Sequence, residues 1–160
     1  MEENAFLMGI AKVMAQANNT HTNISPLFLA KRSNSIPLRC YWFGYDLHVV
    51  LAQKPFQPFL GTKIKRINGK TPSDLLKELE NWYGGSTNRL KFFSPLYFMS
   101  PELLEAINCG NTKNTIEIIY EDDNEEEFSV IVEASKSGKD EVGYWPSDWL
   151  NTSLMKKKNK

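Results

Sequence analysis

At 160 residues the chain is long enough for one sizeable core and cramped for two full domains. Its 19 basic and 19 acidic residues cancel to a formal net charge of zero, which implies neither nucleic acid nor a charged membrane surface as partner. A hydrophobic share of 41% suits a globular protein, and no run approaches the roughly 18 consecutive apolar residues of a membrane-spanning helix.

The N-terminal stretch MEENAFLMGIAKVMAQANN places Phe6, Leu7, Ile10, Val13, Met14 and Ala17 at helical spacing. An amphipathic helix is predicted over residues 3–17, with that stripe facing the core. Two early glutamates and the interrupting Lys12 do not make a secretory signal, so the chain as written is expected in the cytoplasm. The polar Asn18-Asn19-Thr20 ends the helix, and Leu27-Phe28-Leu29 forms a short apolar patch before the loop-like KRSNS.

From Ile36 to Ala52 the residues are aromatic and β-branched, split by Phe43-Gly44-Tyr45-Asp46. PLRCYWF and LHVVLA are therefore predicted as two strands joined by a turn. KIKRI, with Ile64 and Ile67 separated by charge, reads as a strand with one exposed side and some irregularity at its end. Asn68-Gly69 supplies the positive backbone angles of a tight turn. Thr71-Pro72-Ser73-Asp74 then has the pattern of a capped helix start, with Leu75, Leu76, Leu79 and Trp82 along one stripe and Gly84-Gly85 as the stop. Ser100-Pro101-Glu102 opens a second, short helix, which Gly110 closes. TIEIIY and EFSVIVEA flank an acidic loop and make a hairpin.

Catalytic chemistry finds little support. His21 and His48, the two imidazoles, sit in no catalytic motif, and G-x-S-x-G, H-E-x-x-H and a Gly-rich phosphate loop do not occur. Cys40 and Cys109 lack zinc or redox spacing and read as buried thiols. The acidic run at residues 121–127 lacks the spacing and glycine of a calcium loop and reads as a solvated hairpin tip. No metal or cofactor is expected. Lys156, Lys157, Lys158 and Lys160 read as a solvated tail.

The order of elements resembles the N-terminal region, a helical segment plus a PDZ-like domain, of the C-terminal processing (tail-specific) peptidases. AKVMAQANNTHTNI is similar to that family's helix ending in a D-x-H-T-like element, with His21-Thr22 at the matching place. LGTKIKRINGKTPSDLLKEL is similar to its G-D-x-I-x-x-I-N-G segment and following helix, with Thr62 in place of the usual aspartate. The similarity covers roughly residues 5–134. It implies an α+β fold: an N-terminal helical segment over residues 1–35, a PDZ-like, partly open β-barrel with one long and one short helix over residues 36–134, and a weakly structured tail over 135–160.

The family's serine-lysine catalytic domain would follow the PDZ-like module, and the 26 residues after Ala134 are too few for it. Ser135, Lys136, Ser137 and Lys139 lie close in sequence, but a polar loop offers no fixed dyad geometry. The resemblance therefore implies a non-catalytic module that binds a peptide or a protein chain end, or positions substrate for a peptidase domain. Two alternatives stand beside it: a piece of a complete tail-specific peptidase, and a structural domain with no ligand. By correspondence, the peptide would add as a strand along Leu38, Arg39, Cys40 and Tyr41, with Leu75, Leu76 and Leu79 as the helical wall. Pro37 has no N–H to offer a terminal carboxylate, and Arg39 is the candidate substitute.

Overall fold

The computed structural model describes residues 2–19, 21–110, 113–136 and 149–152. Helix α1 (Glu2–Ala15) and α2 (Pro26–Arg32) precede β1 (Asn34–Ser35), β2 (Leu38–Phe43) and β3 (Asp46–Ala52). A 3-10 helix over Lys54–Phe59 leads into β4 (Lys63–Ile67). Helices α3 (Pro72–Glu80), α4 (Thr87–Phe98) and α5 (Pro101–Ala106) follow, then β5 (Thr115–Glu121), β6 (Glu127–Glu133), β7 (Ser135–Lys136) and β8 (Leu150–Asn151). The fold is α+β. Its main sheet runs β2-β3-β4-β5-β6, with β8 pairing β3, and it is not closed into a barrel, so among the described residues β2 and β6 are its edges.

Local chemistry explains the turns. Gly44 (φ +60°) opens the two-residue loop between β2 and β3, the glycine-first geometry that matches strand twist. Asn68 (φ +46°) and Gly69 (φ +82°) reverse the chain after β4, and the Asn68 side chain anchors the turn by donating to Cys109 O and accepting from Glu117 N–H. Thr71 caps α3, accepting from the Asp74 N–H at 3.2 Å and donating to its carboxylate at 2.7 Å.

Two bulges set which side chains face inward. Between Arg39/Cys40 on β2 and Leu51/Val49 on β3 the register slips by one residue, at Val50. Val50 and Leu51 therefore share the outer face with Trp149, while Leu47, Val49 and Ala52 keep to the core. On β4 the extra residue is Lys65, which is how Ile64 and Ile67, three apart, both reach the core. This is the irregularity their spacing suggests.

One core joins the sheet to the helices, and it includes Met8 of α1 and Leu29 of α2. Several details depart from the sequence expectation. α1 buries Asn4, Met8 and Ala11 and leaves Phe6, Ile10 and Val13 exposed, while Leu7 of the predicted stripe packs against the core from a half-buried position. The cause is tertiary: Asn4 donates to the buried Ser33 hydroxyl at 3.1 Å, which turns that side of the helix inward. Leu27-Phe28-Leu29 is helical, with Pro26 in its first turn. Where one long and one short helix are predicted over residues 36–134, three α-helices stand among the described residues there, because α4 has no counterpart in the sequence reading. Ser135 and Lys136 pair with Ser35 and Asn34; Ser137, Lys139 and the C-terminal lysines lie outside the described residues.

Candidate functional site

The helix beside β2 is α4, not α3. It begins at Ser86, whose hydroxyl accepts from the Arg89 N–H, and it contains Pro95. Proline has no N–H, so the Lys91 carbonyl loses its normal helical donor. The Ser94 hydroxyl replaces it, donating to Lys91 O at 2.9 Å. Ser94 Oγ in turn accepts from the Trp42 indole N–H, also at 2.9 Å, which fastens α4 to β2.

Around this joint lies a cavity of about 310 Å³, lined by Tyr41, Trp42 and Gly44 on the strand side and Asn88, Lys91, Phe92 and Pro95 on the helix side. The helix-side residues fall at i, i+3, i+4 and i+7, one face of α4. Tyr41 is 38% exposed and Phe92 49%, so the site opens to solvent through aromatic side chains. The Lys91 ammonium reaches across to Gly44 O and stands over the rings of Trp42 and Tyr45 at 5.0 and 5.3 Å.

The main chain of β2 is available on the outer side. Val49 exchanges hydrogen bonds with Gly61 and Thr62, on the β4 side. By alternation, His48 and Asp46 face β2 and bond Tyr41 and Phe43, which leaves the N–H and C=O groups of Cys40 and Trp42 pointing away from the sheet. Among the described residues no strand pairs that edge.

The residues expected at the groove separate. Tyr41 lines it. Leu38 and Cys40 point into the core at 1% and 2% exposure, although the main chain of Cys40 lies on the free edge. Leu75 and Leu79 are fully buried, so they are core residues of α3 and form no open wall; Leu76 is half-buried against the same core. Arg39 is buried as well. Its guanidinium donates to Ile36 O at 3.1 Å and Leu38 O at 2.8 Å and lies 4.6 Å over the Trp149 ring. It therefore does not present its charge to the cavity.

Ile36 N–H donates to Met99 O at 2.9 Å, closing the start of the β2 edge onto the end of α4. Burial pushes the Cys40 thiol up to about 12, which keeps it protonated and unreactive in the folded chain. His48 lies on the outer face, edge-on to Phe43 at 5.7 Å, with Nδ1 3.1 Å from Gly61 O. His21 lies in the exposed connection after α1, its main-chain N–H donating to Asn19. Sequence reasoning missed Asn88, Lys91, Phe92 and Pro95. The available signals were Ser86 as a cap and Leu90, Ser94 and Tyr97 at helical spacing, obscured by a proline inside the helix. No family model matches the chain, and no curated protein and no solved structure matches it.

Proposed function

We propose that this chain is a non-catalytic peptide-binding module that accepts an extended segment as an added strand along β2, with α4 as the facing wall. In that mode main-chain hydrogen bonds attach the ligand and the pockets between strand and helix select its side chains. The observation that carries the reading is the open cavity where the free main chain of Cys40 and Trp42 meets the face of α4 bearing Asn88, Lys91 and Phe92. This is the PDZ-like role implied by the sequence resemblance, with its helical wall moved from α3 to α4.

The test is a titration of isotopically labelled protein with peptides selected from an arrayed random library, followed by amide shifts. Residues 40–44 and 88–95 should shift together and saturate with one dissociation constant, and Phe92→Ala should weaken that constant. Amide signals that stay still at millimolar peptide in both regions would sink the reading.

A further inference from the structure

Resting on that reading, we infer that the groove selects an interior acidic segment of a protein, one whose Asp or Glu side chain meets Lys91, and not a chain end. The first support is charge. Between Glu3 and Asp46, and again between Glu80 and Glu102, the sequence contains no Asp or Glu. Both walls of the groove fall within those stretches. The acidic residues of this neutral chain gather elsewhere, notably at residues 121–127. Asp46, the first acid past the strand wall, is paired with Lys63 at 2.9 Å. Among the described residues Lys91 is the charged side chain lining the cavity, and Asn88, one turn before it, adds an amide.

The second support is the closed start of the edge. A chain end laid along β2 needs donors near Ile36–Leu38 for its carboxylate. There the Ile36 N–H is engaged by Met99 O, Pro37 has no N–H, and the Arg39 guanidinium is held by Ile36 O and Leu38 O, so the Leu38 N–H is the one main-chain donor of residues 36–38 that faces the edge. A carboxylate in that position would exchange its water for a single main-chain N–H and no cationic partner, an incomplete replacement that carries a penalty. The positive charge stands on α4, where alternate side chains of a strand added to β2 would point. An acidic side chain reaches it while the ligand backbone stays paired with Cys40 and Trp42. The surrounding rings of Tyr41, Trp42 and Phe92 favour apolar neighbours for that acid.

An arrayed library of random twelve-residue peptides, each made with a free and with an amidated C-terminus, tests this directly. Binders should carry Asp or Glu at one interior position, amidation should leave their affinity unchanged, and replacing the acid by its amide should weaken them about tenfold, the effect of one charge-assisted contact. Lys91→Met should remove the acid preference and Lys91→Glu should shift it to Lys or Arg. Asn88→Lys, at an exposed position, should sharpen it and guards against a Lys91 variant that folds poorly. Binding that requires a free C-terminus, or that ignores the acid, overturns the inference and leaves the peptide groove standing. Absence of binding by every peptide, with residues 40–44 and 88–95 unmoved, overturns both.

Discussion

The Trp42 indole N–H donates to the Ser94 hydroxyl at 2.9 Å while that hydroxyl donates to the Lys91 carbonyl left open by Pro95. One side chain thus satisfies a buried strand residue and repairs a helix at the same point. Ser94 is fully buried, so neither partner has water as a substitute. Ser94→Ala should cost about 1–3 kcal/mol, the usual penalty for leaving a buried polar group unmatched. It should also loosen α4 from β2 and weaken peptide binding. Denaturant unfolding and a peptide titration on the same variant check both; unchanged stability would mean that the relay contributes nothing.

The leucines of α3 distinguish a core role from a ligand-binding one. Leu75 has no exposed surface. Leu75→Ala should lower stability by about 2–5 kcal/mol through lost burial and a residual cavity. Peptide affinity, measured where the variant remains folded, should stay within about twofold of the parent, a difference of a few tenths of a kcal/mol. A variant of near-parental stability and much weaker binding would return α3 to the groove.

What the sequence reveals here follows the range of the interactions. The Gly44 loop, the Asn68-Gly69 turn and the Thr71 cap are decided by a few adjacent residues, and their positions are legible directly. The β5–β6 hairpin is legible for the same reason, since two apolar runs flank one acidic turn. The edge position of β2 follows from the hairpin but its partner does not. α3 and α4 both follow β4 and both pack on the core, and it is α4, whose stripe is obscured by Pro95, that lies beside the edge. Arg39 is held by two nearby carbonyls and also lies over Trp149, 110 positions later, a contact no local pattern encodes.

α1 shows the same point on a surface. Its apolar residues occur on both faces, and the inward face is selected by Asn4 meeting Ser33 and by Met8 entering the core. Phe6 and Val13 remain 68% and 67% exposed. Phe6→Ser and Val13→Ser should each change stability by no more than about 0.5 kcal/mol, whereas Met8→Ala should cost about 2–5 kcal/mol. Thermal and denaturant melts of the three variants decide which face is buried, and a large loss at Phe6 or Val13 would contradict the orientation of the helix.

Cys40 connects the groove strand to alkaline stability. Burial holds its thiol up at about 12 in the folded chain, although the Arg39 charge beside it acts in the opposite direction, while an exposed thiol titrates near about 8.5. Below the latter value both folded and unfolded chains keep the proton, and stability does not depend on it. As pH rises through the window between the two, the unfolded chain sheds a proton that the folded chain retains, so unfolding is favoured and stability falls. Cys40→Ala removes this contribution. Its stability, lower at neutral pH because a buried sulfur is gone, should decline less than the parent's between pH 8 and 10, as denaturant unfolding at each pH measures. Alkylation offers an independent check: iodoacetamide at pH 8.5 should modify Cys40 only at the rate at which the chain unfolds. Rapid labelling of Cys40 in the native state would show that β2 opens to solvent on its core side, and would remove the rigid strand on which an added peptide has to pair.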